Sequence, residues 1–336
     1  MNYSLGNTLS RGGGSLNPDG LSLDLQFATD KSLTARKGPT PTFTRASTAT
    51  FIGSNGLIQS AAINEPRFDH NPITLACRGL LIEGSRTNLV FPSATLTTQT
   101  RTVTAVAHTL SFYGTGTVVL SGAHVATVTG TGAYPTRTTL TFTPTAGSLI
   151  LTVTGSVTEA QLEAGSFATS YIPTTTASVV RSADICSITG SNFTGFYNAS
   201  EGTIAAIGLL NTTTIDAGPE VFKVNDGTNN NRIQIGMTNV PTEAVRPFIV
   251  AAGVVVYNST LGTATIGVER KIATAYKSND AISVFNGTLG TQDTSVTIPT
   301  GINQALIGVS WGNGTIASIR YFKKRLPNAK LQAITT

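Results

Sequence analysis

Short runs of alternating apolar and polar residues recur along this chain, and turn-forming residues separate them at intervals of roughly ten residues. Leu21-Ser22-Leu23-Asp24-Leu25-Gln26-Phe27 alternates strictly and reads as a half-buried strand. Leu149-Ile150-Leu151-Thr152-Val153 follows the turn Pro144-Thr145-Ala146-Gly147, and Asn286-Gly287 is a hairpin dipeptide. Threonine supplies about one residue in six, and its β-branched side chain suits strands better than helices. Helical character is confined to Pro327–Ile334. The pattern predicts an all-β protein built as two β-sandwich domains with an extended N-terminal arm.

The chain divides by composition. Residues 1–20, with Arg11-Gly12-Gly13-Gly14 and Asn17-Pro18-Asp19-Gly20, read as a polar arm that packs only against a partner. Residues 21–94 form an extended β and turn region interrupted by Pro39, Pro41, Pro66 and Pro72. Residues 95–180 hold expected strands at Val103–Phe112, Thr117–Leu120, Thr138–Phe142 and Leu149–Val153, enough for one small sandwich. Residues 195–336 repeat the pattern with Gly202–Leu210, Arg232–Met237, Pro247–Tyr257, Arg270–Lys277, Ala281–Phe285, Leu306–Trp311 and Thr315–Phe322. A topology follows in which Leu21–Phe27 and Gly79–Glu83 pair with the C-terminal sandwich, leaving residues 95–175 as an inserted module.

Charge narrows the function classes. Charged residues are 12% of the chain, about half the usual ~25%. The net charge of +5 is spread thinly, with one small cluster at Lys323-Lys324-Arg325, so no nucleic-acid partner is expected. No run of ~18 apolar residues occurs, and no basic start leads into an apolar run, so neither membrane insertion nor a leader is expected. Cys77 and Cys186 read as small buried hydrophobes, and His70, His108 and His124 lack metal-ligand spacing.

Enzyme signatures fail in turn. There is no Gly-x-Ser-x-Gly elbow, no phosphate loop and no His-Glu-x-x-His. Glu159, Glu163, Asp184 and Glu201 could supply a glycosidase pair, but any 17 acids contain such pairs. The Asp226 loop, with Asn225, Asn229 and Asn230, offers calcium-type oxygens that an Asn-Asp-Gly turn explains equally well. No enzyme activity, metal or cofactor is expected. Trp311, Tyr257 and Tyr276 are candidate stacking rings for a glycan, weighed against the alternative that they fill the core.

Two blocks carry a resemblance. Leu21 to Thr50, and Asn64 to His70 followed by Arg78 to Glu83 and Arg86 to Leu89, look like the opening of tailed-bacteriophage virion fibre proteins of the head fibre, head spike fibre or tail fibre kind. Ala160 to Thr174 and Arg181 to Asp184 belong to the same pattern. The middle part is similar to a jelly-roll carbohydrate-binding module, and Ile316 to Ile334 to the closing strand of laminin-G or concanavalin-like sandwiches. The resemblance implies a structural protein of the virion, either a surface-exposed head or tail fibre or a decoration protein without catalysis. It also implies a homotrimer contacting other capsid or tail proteins. Alternative readings are an adhesin recognising a host-surface polysaccharide, or a polysaccharide-degrading spike.

These same blocks hold Arg45, Arg67, Arg78, Arg86 and Arg181, together with Glu83, Glu163 and Asp184, in otherwise charge-poor sequence. Guanidinium forks bind carboxylates bidentately, so the set reads as clamps between domains or subunits, the alternative being solvated surface charge.

Overall fold

A computed structural model describes residues 19–210, 219–236, 244–263, 265, 267–309 and 313–336. About 50% of the chain is strand and 6% helix, all in antiparallel pairings, so the fold is all-β. Two large sheets face each other around one apolar core. The first runs in the order Thr288–Leu289, Asp280–Phe285, Arg270–Lys277, Glu201–Leu210, Asn313–Phe322, Cys77–Glu83, Arg67–His70. The second runs Thr42–Thr44, Ile185–Thr189, Gln304–Val309, Glu220–Asn225, Arg232–Gly236, Phe248–Ala251, Val254–Asn258. Phe27, Ile82, Ile204, Phe222, Ile307 and Ile319, among others, fill the space between them.

Asn313–Phe322 is the centre of the first sheet. One side pairs with Glu201–Leu210 over eight registered residues. The other side is shared: Leu80–Glu83 pair with 313–316, and Leu21–Leu25 with 319–322. Early and late parts of the chain therefore close one sheet together. Gly79 is the point where they meet. Its φ is +107°, and an added Cβ would lie 2.1 Å from the Ile316 carbonyl oxygen. Only glycine allows that left-handed backbone so near a neighbouring strand.

A second, separate sandwich lies between these halves in sequence. Ala126–Thr129, Thr117–Gly122, Gly147–Thr154 and Gln99–Val103 form one sheet, and Thr138–Phe142, His108–Tyr113 and Thr158–Ala164 the other. Leu110, Phe112, Val118, Leu120, Leu149 and Leu162 are solvent-free in its own core.

Two expected runs divide. Val103–Phe112 is not one strand: Gln99–Val103 pairs with Gly147–Leu151 and His108–Tyr113 pairs with Thr158–Ala164, in opposite sheets. The chain turns over at Thr104–Val106, where Val106 N donates to Thr104 O. Pro247–Tyr257 is a hairpin, because Ala252 and Gly253 take φ of +49° and +81°, the handedness of a tight hairpin turn. Two short helices, Phe27–Asp30 and Gly190–Phe196, join the expected C-terminal one, Asn328–Thr335. In Gly190–Phe196, Phe193 and Phe196 anchor the turn in the main core.

Candidate functional site

Charged side chains of the segments that carry the resemblance converge where the two sandwiches join. Arg67 lies on the strand Arg67–His70 and Glu83 ends the neighbouring strand Cys77–Glu83. Arg67 Nη1 donates to Glu83 Oε2 at 2.7 Å and Nη2 to Asp184 Oδ2 at 2.5 Å. Arg181 Nη1 reaches Glu83 Oε2 at 2.8 Å, and Arg45 Nη1 reaches Asp184 Oδ1 at 3.1 Å. All five side chains are excluded from solvent. Three guanidiniums thus meet two carboxylates, and backbone carbonyls take further donors: Ser47 O and Ala62 O for Arg45, Thr50 O for Arg67, Gly84 O for Arg181, while Nε of Arg67 and of Arg181 is buried without a partner among the described residues. Burial opposes the charge on Glu83, but Arg181 and Arg67 outweigh it and hold the carboxyl down at about 2.

Ser170, from the inserted sandwich side of the chain, completes the network. Its N–H donates to Glu83 Oε1 at 2.8 Å and its hydroxyl to Glu83 Oε2 at 2.6 Å, while Arg67 and Arg181 each donate to its Oγ at 2.9 Å. A few residues away, Glu163 is locked by Gln161 Nε2 at 2.6 Å, Thr169 N at 2.8 Å and Thr169 Oγ1 at 2.7 Å, with Arg86 Nε at 3.7 Å. Arg86 also stacks on Phe167. Arg78 is the exception in the clamp set. It makes no ion pair among the described residues, and its charge acts instead on nearby Asp69. Ser170, Thr169 and Gln161 carry no charge, so nothing in the sequence singled them out.

The sugar-stacking assignments are corrected for two residues. Tyr257 is 3% exposed and donates to Ser283 Oγ at 3.0 Å; Tyr276 is fully buried with its hydroxyl 3.0 Å from that of Tyr321. Both rings fill the large core, where a sugar cannot reach. Trp311 lies outside the described residues. The Asp226 loop holds itself together: Oδ1 accepts from Thr228 N and Oγ1, and Oδ2 from Asn231 Nδ2, which lowers the carboxyl. Cys77 is half-buried and Cys186 buried, both as free thiols that burial pushes up.

Beside the ionic network a cleft of about 140 Å³ opens between the sandwiches. The base contributes Thr50, Ile52 and Asp69; the inserted sandwich contributes Tyr113, Arg137 and Tyr171. Tyr134 bridges the two parts by donating to Gly56 O, and its ring lies 5.2 Å from that of Tyr113. Asp69 Oδ1 accepts from Ile52 N at 2.7 Å. Burial pushes this carboxyl up to about 6, against the pull of that hydrogen bond and of Arg78. Arg137 is the single Lys or Arg between Arg101 and Arg181. Arg137 was not among the residues expected to form a site, and that isolation is the signal that could have found it.

No protein-family model matches the chain, and no curated protein does. Part of it is similar to solved structures of sialidases. The CBM40 module of the Ruminococcus gnavus IT-sialidase aligns at 16% identity and TM-score 0.35, over 41% of this chain and 84% of the module. The NanB sialidase of Streptococcus pneumoniae aligns at 16% and 0.36, over 45% of this chain and 26% of that one. The Trypanosoma rangeli sialidase aligns at 12% and 0.33, over 40% and 22%.

Proposed function

We propose that this chain is a non-catalytic structural protein of a tailed-bacteriophage particle, exposed on its surface as a head or tail fibre. The observation that carries this reading is where the specific blocks go. Arg45, Arg67, Glu83, Arg181 and Asp184 bury their charges in one network that fastens an inserted sandwich to a base. General acid–base catalysis needs a carboxyl that can reach substrate or water. The oxygens of Glu83, Asp184 and Glu163 are instead occupied by donors of the chain itself. Such blocks serve as framework, the role the resemblance to virion fibres implies. The same resemblance supplies the homotrimer, docking on capsid or tail through the arm at residues 1–20, of which 1–18 lie outside the described residues.

A second reading, adhesion to a host-surface glycan by the same molecule, is favoured by the cleft with Arg137 and Tyr113. Antibody raised to the purified protein, applied with gold label to particles released from cells carrying its gene, tests the first reading. Gold at fixed positions on heads or tails is the expected result; unlabelled particles, with the protein left in the lysate supernatant, overturn it.

A further inference from the structure

The cleft between the sandwiches presents more binding capacity than the fold uses. A guanidinium carries five N–H donors. Arg137 spends one on Thr169 O at 2.6 Å and one on Ser111 Oγ at 2.8 Å; among the described residues no carboxylate forms an ion pair with it, Glu159 feeling its charge without direct contact. Its Nε is buried without a partner. A half-buried cation left in this state is set to receive an anion, because a charge-assisted pair away from bulk water is stronger than an exposed one. Across the cleft, Asp69 is 7% exposed and uses Oδ1 on Ile52 N, with nothing among the described residues donating to Oδ2. Tyr113 is 7% exposed, and its hydroxyl finds no partner among the described residues. Phe51, Ile58 and Leu81 supply apolar wall.

An unpaired cation, an acceptor opposite it, a phenol and an apolar wall together describe a ligand with a carboxylate, hydroxyls and a C–H face. A volume of about 140 Å³, well short of the ~300 Å³ at which pockets for drug-sized ligands begin, takes the carboxylate-bearing edge of one such ring and leaves the rest outside. We propose that this cleft binds the terminal unit of an acidic polysaccharide, a hexuronate whose carboxylate pairs with Arg137 while a ring hydroxyl donates to Asp69. The proposal rests on the glycan-adhesion reading and gives it a site and a ligand class. The ring is held by residues from both sandwiches, so the junction that Glu83 and Ser170 fix also sets the width of the site.

The full-length protein titrated calorimetrically with D-glucuronate and with D-glucose tests the proposal, alongside retardation of the protein in gels containing an acidic bacterial polysaccharide. Glucuronate binds and glucose binds at least about tenfold more weakly, the size expected for losing a charged hydrogen-bonded pair. Arg137→Met loses glucuronate binding by a similar factor. Tyr113→Phe, which removes a hydroxyl that the fold does not use, weakens binding about two- to tenfold at an unchanged melting temperature. Equal binding of glucose and glucuronate, or undiminished binding by both variants, overturns the site. Gel retardation that persists in both variants leaves adhesion standing while the site falls. Absence of both retardation and heat removes the two together.

Discussion

Arg181 and Glu83, ninety-eight positions apart in sequence, close a 2.8 Å ion pair from which solvent is excluded on both sides. The pair ties the segment leaving the inserted sandwich to the strand entering it. Two unlike charges taken out of water recover their hydration only through further hydrogen bonds, which Arg67 and Ser170 supply here to both oxygens of Glu83.

Removing one member therefore costs more than the pair itself contributes. Glu83→Ala leaves Arg67 and Arg181 buried and undercompensated, and destabilisation of about 3–5 kcal/mol is expected. Glu83→Gln keeps the shape and part of the hydrogen bonding and loses less. Urea unfolding of the two variants beside the parent measures this, and a loss below about 1 kcal/mol for Glu83→Ala would place the pair among weak surface contacts.

The junction also has opposing pH dependences. Asp69 is raised from 3.8 to about 6 by burial, so its contribution to stability is full below the unfolded value and fades as pH climbs through 6. Glu83 is depressed from 4.5 to about 2, so its contribution holds above 4.5 and fades as pH falls toward 2. Asp69→Asn should abolish the loss between pH 4 and 6, a step of at most about 3 kcal/mol for a two-unit displacement. Urea midpoints at pH 4, 5, 6 and 7 give the profile, and an identical slope in parent and variant would rule out Asp69 as its source.

Tyr276 and Tyr321 share a hydrogen bond in the core at 3.0 Å. Tyr276→Phe keeps the ring but breaks the pair, leaving the Tyr321 hydroxyl its contacts with Asn198. A stability loss of about 1 kcal/mol is expected, with glycan retention unchanged. Lost retention at parental stability would restore Tyr276 as a binding residue.

At Gly79 the backbone has no room. Gly79→Ala sets a methyl against Ile316 O at a left-handed φ, and the loss should be about 1–3 kcal/mol or more. A melting temperature equal to the parent's would mean that the two strands part without cost.

Strand character was legible because alternation and turn chemistry are local. Leu21–Leu25 and Asp280–Phe285 announce themselves within a few residues. Sheet membership inside the small sandwich was not: the passage of the chain across it at Thr104–Val106 depends on partners at Gly147–Leu151 and Thr158–Ala164, dozens of residues away. The clamps were partly visible because an arginine in charge-poor sequence demands a counter-ion. Their geometry needed Ser170 and backbone carbonyls, which have no signature of their own. The aromatic rings left two readings open for a physical reason: Tyr257 and Tyr276 are as suited to a core with a buried polar partner, where they lie, as to a sugar face.

One co-incubation separates holding a glycan from cutting it. The purified protein is mixed with an acidic bacterial envelope polysaccharide, and bound polymer and new reducing ends are measured in the same sample. The expected result is retention of the polymer with reducing ends at the level of a protein-free control. Reducing ends that grow with time, or polymer left wholly unbound, would contradict the proposed surface protein that holds glycan without cutting it.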